Sequence, residues 1–248
     1  MTLTLTATLS GCSAAPRPPE TAADRASVSS ATATPAVVWP TTGPLTQAQL
    51  DASLLSPQEL PSGSTAESQD TSVDPQTAAM LAEASAATPA CEPVISAISD
   101  LPRPTAKAER LYITGNDILA NRTYVDASSY APGEVRSRFQ ALEAAVHGGC
   151  HAFVIRSTGW QVNWQVQQLP FESGDAPVVA FQLTTSALTG TRNRRVYLYA
   201  AVGDNRLIFM KGDDVTNNPT LPSSIVQAQI HKIMTVKTAT PATSAPTQ

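Results

Sequence analysis

From Trp160 to Leu169 the chain alternates without a break, with Trp160, Val162, Trp164 and Val166 on one side and Gln161, Asn163, Gln165 and Gln167 on the other. A period of two places the apolar set on one face, so the segment is expected to be an antiparallel strand with one wet side. VVAFQLTTSAL repeats the pattern through Val179, Phe181 and Leu183. VYLYAAV and RLIFMKG, joined by Gly203-Asp204-Asn205, predict a hairpin that is apolar on both sides and therefore central. HAFVIRST, ERLYIT and RTYVDASSY complete the set of strands, the last two separated by GNDILAN.

Elsewhere the period changes to that of a helix. In APGEVRSRFQALEAAVHGG the residues Val135, Phe139, Leu142 and Val146 recur at helical spacing, Glu134 lies near the positive end, and Gly148 and Gly149 stop the run. SVDPQTAAMLAEASAA predicts a helix capped by Asp74, with Pro75 in its first turn and Met80 and Leu81 turned inward. Val94, Ile95 and Ile98 mark a further helix in CEPVISAISDL, and Val226, Ile230 and Ile233 mark one in LPSSIVQAQIHKIMTV. Strands and helices in this order predict an α+β fold: an antiparallel sheet with helices packed on one face.

Composition divides the 248 residues unevenly. Residues 13–75 are mostly Ala, Thr, Ser and Pro, too poor in apolar side chains to offset the entropy of folding, and are expected to form a disordered tether. Within it LLSPQELPSG, near 54–63, predicts a short helical island, and Thr32, Thr34, Thr41 and Thr42 have the setting of O-glycosylated stalks. The folded domain is expected over 76–236, and 237–248 return to tether-like text. A net charge of −4 with 15% charged residues offers no basic face for nucleic acid.

The chain has three cysteines, an odd number for an exported domain. Leu9-Ser10-Gly11-Cys12 resembles the bacterial lipobox, in which the thiol is acylated; residues 1–12 then read as a truncated signal segment. No Lys or Arg precedes Arg17 and the apolar run is short, so the start of translation is expected upstream. Lipid at Cys12 would anchor the protein on the outer side of the membrane, each buried methylene contributing about 0.8 kcal/mol. Cys91 and Cys150 are left as a pair for an oxidising compartment, and closing the loop between them is worth roughly 4 kcal/mol in the chain-entropy model.

Candidate chemistry is sparse. His147, Cys150 and His151 match no zinc-ligand spacing, no G-x-S-x-G elbow or Gly-rich phosphate loop is present, and the chain is expected to be non-catalytic, without metal or cofactor. Trp160, Trp164 and Phe181 would either fill the core or line an apolar ligand pocket. Arg192, Arg194 and Arg195, in TRNRR, read as a solvated hairpin tip or as contacts to an anionic ligand or lipid headgroups.

The LLSPQELPSG segment, CEPVI, the YVDASSYAPGEVRSRFQALEAAVHGGC helix ending in a cysteine, and the amphipathic strands that follow resemble the actinobacterial extracellular sensor domain of PknH-type kinases and of surface lipoproteins. That resemblance implies an extracytoplasmic, lipid-anchored sensor-like protein binding a small molecule, a lipid or an envelope protein. A lipid or glycolipid carrier is the alternative, and a secreted hydrolase the third reading. A large apolar void beneath Trp160, Trp164 and Phe181 would favour the carrier.

Overall fold

The structure, a computed structural model, describes residues 39–69, 73–115, 121–172, 174–186, 192–212 and 219–236, the side chains of 186 and 192 excepted. Cys12 and the tail 237–248 lie outside the described residues. Eight strands form one antiparallel sheet: β1 (Thr65–Ser68), β2 (Ala106–Ile113), β3 (Arg122–Ser129), β4 (Ala152–Ser157), β5 (Trp160–Leu169), β6 (Val178–Ser186), β7 (Arg192–Val202) and β8 (Asn205–Gly212). Their order across the sheet is β1-β2-β3-β8-β7-β6-β5-β4. The hairpin predicted around Gly203 is central, with Val202 opposite Asn205. Gly203 has φ +62, and a Cβ there would lie 1.9 Å from the carbonyl oxygen of Thr42, so both the turn and the neighbouring chain require glycine.

Five α-helices accompany the sheet: α1 (Gln47–Ser53), α2 (Pro75–Ala87), α3 (Glu92–Ser99), α4 (Glu134–Ala144) and α5 (Ser223–Thr235). Asp74 caps α2 as expected, accepting from the backbone N–H groups of Gln76 and Thr77 at 3.0 Å. Val135, Phe139, Leu142 and Val146 are all buried. A π-turn over Ala145–Gly149 ends that run and delivers Cys150 to Cys91, whose disulfide spans 59 positions and ties the start of α3 to the chain after α4.

The α+β class and the antiparallel sheet hold, but the helices cover both faces rather than one. α2, α3 and α4 pack on Val179, Phe181, Leu183, Tyr197, Tyr199 and Ile208. α1 and α5 pack on Val125, Leu198, Ala200, Leu207 and Phe209, which point the other way. Strands β7 and β8 are apolar on both sides because each side meets helices.

The expected tether is also shorter than 13–75. From Leu45 onward the chain is folded onto the sheet: Leu45, Leu50, Leu54, Leu55 and Leu60 are buried, and 65–68 form edge strand β1. The helical island is a single 3-10 turn, Pro57–Glu59, preceded by α1. A capping box starts α1, with Gln49 N–H donating to Thr46 Oγ1 and Thr46 N–H donating to Gln49 Oε1 at 2.9 Å. No described helix is long and apolar enough to cross a membrane.

Candidate functional site

Strands β2, β3 and β8 turn charged residues towards the α3–α4 side. Register places Glu109 opposite Asp126, and Ser128 opposite Arg206. Asp100 joins them from the end of α3, where its backbone is left-handed at φ 54. Arg206 is 1% exposed, and its Nη2 donates to Asp100, to Asp126 at 3.0 Å and to Ser128 Oγ at 3.1 Å. Lys107 Nζ meets the same carboxylates from the other side, with Asp100 in direct contact, Glu109 at 2.6 Å and Asp126 at 3.2 Å.

Burial works against every charge in this cluster, and the partners decide where each settles. Burial raises Asp100, but the attraction of Arg206 and Lys107 outweighs it and holds that carboxyl below its ordinary value. Asp126 is pushed up, first by burial and then by the charge of Asp100, which Arg206 and Lys107 only partly offset. Lys107 is lowered by burial but held well above the usual lysine value by Asp126, Asp100 and Glu109. Asp100, Glu109 and Asp126 could each offer a metal ion one oxygen, the three lying within 4.8 Å of one another. Lys107 and Arg206 already supply the counter-charge those oxygens would otherwise need.

Beside the cluster, α3 and α4 stand apart over the sheet and leave a cavity of about 300 Å³. Tyr199 and Arg206 reach it from the sheet, Pro93 and Ala97 from α3, and Arg138 and Leu142 from α4. Arg138 is fixed by Glu134, which its Nη2 meets at 2.6 Å, and by the carbonyl of Leu101 at 2.9 Å. The ring of Tyr130 lies between two guanidinium groups, with Arg138 4.8 Å and Arg206 5.3 Å from its centroid. Such stacking holds both arginines in place without using their hydrogen-bond donors.

Two polar atoms of the cavity's inner residues have no hydrogen-bond partner among the described residues: the Tyr199 hydroxyl and the Arg206 Nε–H. Tyr199 is 3% exposed, and burial raises its hydroxyl well above the ordinary phenol value. Buried polar groups are overwhelmingly hydrogen-bonded, and an unpaired one costs about 1–3 kcal/mol. Both atoms are enclosed, on residues whose other atoms line the cavity.

On the opposite face, a groove of about 570 Å³ runs over the part of the sheet that α5 leaves uncovered. Gln165, Gln167, Gln182, Thr184 and Arg194 line it, with Leu221 beside them. This is the wet side of β5 and β6 predicted by their alternation.

Of the sequence-predicted site residues, Trp164 and Arg195 meet and the other described ones are spread over both faces of the sheet. Trp164 stacks on Phe153 at 6.3 Å between centroids, with the Arg195 guanidinium 5.8 Å from its ring, and Phe181 stacks on Tyr197 at 5.4 Å. These rings fill the space in which an apolar carrier cavity was expected. Trp160 is 48% exposed, on the part of β5 that, among the described residues, pairs with β4 alone. Arg194 belongs to the opposite groove, and the Arg192 side chain lies outside the described residues. Cys150 is in the disulfide, and His147 is engaged by the Glu143 carbonyl at 2.8 Å and by Gln168 Nε2 at 3.1 Å.

Sequence reasoning passed over Asp100, Lys107, Asp126, Tyr199 and Arg206 entirely. One signal was present: charged residues at alternate positions in the AKAE and VDAS parts of strands whose other positions are apolar.

No protein-family model matches the chain, and no curated protein matches it. Among solved structures, it is similar to the extracellular domain of PknH from Mycobacterium tuberculosis, at 11% identity and a TM-score of 0.45, over 77% of this chain and 95% of that one. It is also similar to the Rv0999 ortholog of Mycobacterium smegmatis, at 14% identity and a TM-score of 0.35, over 72% of this chain and 80% of that one.

Proposed function

We propose that this chain is an extracytoplasmic, lipid-anchored binding protein without catalytic activity, whose domain takes a small molecule in the cavity between α3, α4 and the sheet. The observation that carries the binding site is the pair of unpartnered atoms, Tyr199 Oη and Arg206 Nε, on residues that line a cavity large enough for a ligand. Thr123 Oγ1, Tyr130 Oη and Trp164 Nε1 are also unpartnered among the described residues, so it is the coincidence with the cavity that supports the site.

The compartment is argued from the cysteines. A disulfide between Cys91 and Cys150 belongs to an oxidising environment, and the lipobox-like Leu9-Ser10-Gly11-Cys12 offers a membrane anchor that needs no spanning helix. The binding reading is preferred to the carrier because two of the aromatic residues that would line a lipid cavity, Trp164 and Phe181, are stacked on Phe153 and Tyr197. It is preferred to the hydrolase because Cys150 is committed to the disulfide and both ring nitrogens of His147 are engaged.

Native mass spectrometry of protein extracted from its own membrane tests both parts. The expected result is a chain beginning at a diacylated Cys12 that carries a small molecule, and the small molecule is lost in Arg206→Lys. An unmodified Cys12 in the membrane fraction removes the anchor. Identical bound mass in the wild type and in Arg206→Lys removes the site.

A further inference from the structure

Charge is divided unequally over the sheet. Residues 150–171 and 176–203, which hold β4, β5, β6 and β7, contain four arginines and none of the chain's 20 Asp and Glu. The chain as a whole carries a net charge of −4, so this half of the sheet is cationic in an acidic protein. Between the two stretches, Glu172 and Asp175 follow β5, and neither is among the residues that line the groove over β5, β6 and β7.

Register sets the lining of that groove in two rows. Gln167 stands opposite Gln182, which stands opposite Val196; Gln165 stands opposite Thr184, which stands opposite Arg194. Neighbours in a row are about 4.8 Å apart and the rows about 7 Å apart, the spacings of paired strands and of alternate residues. Gln165 and Gln167 are exposed, and Gln182, Thr184 and Arg194 are half-buried, so all five have surface that a ligand can reach. Each amide offers two donors and an acceptor oxygen, the hydroxyl both donates and accepts, and a guanidinium pairs with a carboxylate in a fixed fork. Phe171, half-buried, closes one side of the groove with carbon.

This lining does not suit every anion. Nucleic acid is held chiefly by several lysines and arginines on its phosphates, and an anionic lipid surface by an apolar face set among cations. Here one guanidinium stands among four uncharged polar side chains in a concave groove. Rows of amides match a chain of rings that carry many hydroxyls, and a guanidinium in a half-sheet without carboxylates matches an acid group on one of those rings.

We propose that the groove over β5, β6 and β7 binds an acidic glycan, with ring hydroxyls bonded to the amides of Gln165, Gln167 and Gln182 and a carboxylate paired with Arg194. This is a second site, on the opposite face of the sheet from the α3–α4 cavity, and it stands whether or not that cavity holds a ligand.

Tetragalacturonate and its methyl ester, nearly alike in shape and hydroxyl pattern but different in charge, are suitable probes. Each is titrated against the full chain by calorimetry at neutral pH and low salt, beside a single-stranded DNA oligomer and phosphatidylglycerol vesicles. The expected result is saturable binding of tetragalacturonate and about tenfold weaker binding of the ester, the effect of a hydrogen bond to a charged group. Arg194→Gln is expected to bring the acid down to the affinity of the ester while leaving the ester unchanged. Gln167→Ala is expected to weaken both about 2- to 10-fold. Gln165→Glu, at an exposed position, sets a carboxylate in the groove and is expected to weaken the acid more than the ester without altering the fold.

Equal binding of acid and ester overturns the acidic class and the Arg194 contact. Undiminished binding of both probes in Gln167→Ala and in Gln165→Glu overturns the groove as their place. No saturable binding of either probe, or tighter binding of the DNA or the vesicles, overturns the glycan.

Discussion

The two faces of the sheet both lie under helices and bury polar residues that they anchor differently. Each also leaves an atom unpaired among the described residues, Thr123 Oγ1 on the α1–α5 side and Tyr199 Oη on the other. On the α1–α5 face, Gln229 uses its whole amide: Oε1 accepts from Leu55 N–H at 3.0 Å and from the Tyr112 hydroxyl at 2.8 Å, and Nε2 donates to Ser53 O at 2.7 Å. Asn205 does the same for the segment before α1, accepting from Leu45 N–H at 3.1 Å and donating to Gly43 O at 2.8 Å. Both residues stitch 43–55 to the domain. On the α3–α4 face, the buried arginine is held by carboxylates and the buried tyrosine hydroxyl beside it has no partner among the described residues. Satisfied polar groups fix a fold; unsatisfied ones beside a cavity are free to meet something else.

The hardest blow to this contrast would come from Arg206. Replacing it with Met leaves Asp100 and Asp126 buried with Lys107 as their remaining cation, and is expected to cost about 3–5 kcal/mol in denaturant unfolding at neutral pH. A loss below 1 kcal/mol would mean that the cluster is not the buried ionic unit described. Adding Asp126→Asn to that variant should recover part of the loss, because the second change removes one of the charges left behind.

A sharper comparison sets the two faces directly against each other. Gln229→Ala leaves Ser53 O and the Tyr112 hydroxyl proton to find other partners in the interior, while Leu55 N–H keeps Tyr112 Oη, and is expected to cost about 1–3 kcal/mol. Tyr199→Phe removes a hydroxyl that has no partner among the described residues and should cost nothing, raising stability by up to about 1–3 kcal/mol. Equal losses from the two, measured in the same buffer, would erase the distinction between the faces.

The smallest expected effect concerns the seam on the α1–α5 side. Lys232 Nζ meets Glu59 at 2.6 Å, and that contact, followed by hydrogen bonds from Ser56, pulls the Glu59 carboxyl from 4.5 to about 2. A depressed carboxyl stabilises the fold above its unfolded value and loses that contribution as pH falls through the folded one. Between pH 4.5 and about 2, therefore, the wild type should lose its thermal-stability advantage over Glu59→Gln. The pair is largely solvent-exposed, so the advantage at neutral pH is about a few tenths of a kcal/mol. A constant difference across that range would show that Glu59 does not titrate as stated.

How legible this was depended on whether the signal was periodic. Val135, Phe139, Leu142 and Val146 declared α4 through their spacing, and the cysteine count paired Cys91 with Cys150. Segment 45–68 did not declare itself, because Ala, Thr and Gln are as common in it as in a tether and its five buried leucines follow no single period. The Thr46-x-x-Gln49 capping box was the readable sign of α1. Missing that segment hid the second helical layer, although the two-sided apolarity of β7 and β8 required one. The alternation that drew attention to Trp160 and Trp164 reports which way a residue faces. It carries no information on how far along the strand the sheet ends, so an exposed and a half-buried tryptophan look alike. The ionic cluster draws on Lys107, Asp126 and Arg206, which strand register brings together, and on Asp100, which the end of α3 adds.

The close seating of Thr42 against Gly203 has a mechanical consequence. Asp204 N–H donates to Thr42 O at 2.8 Å and Asn205 Nδ2 to Gly43 O at 2.8 Å, so the chain before α1 is fastened to the turn that joins the two middle strands. Any pull on the N-terminal side of Trp39 is therefore met first by its packing on Phe139 and Arg136 of α4 and then at the centre of an eight-stranded sheet rather than at an edge. Edge strands peel away one hydrogen bond at a time, whereas a load applied at the middle is shared by the ladders on both sides. Were the domain held by its N-terminus, as proposed, the load would fall on the middle of the sheet and not on its edges.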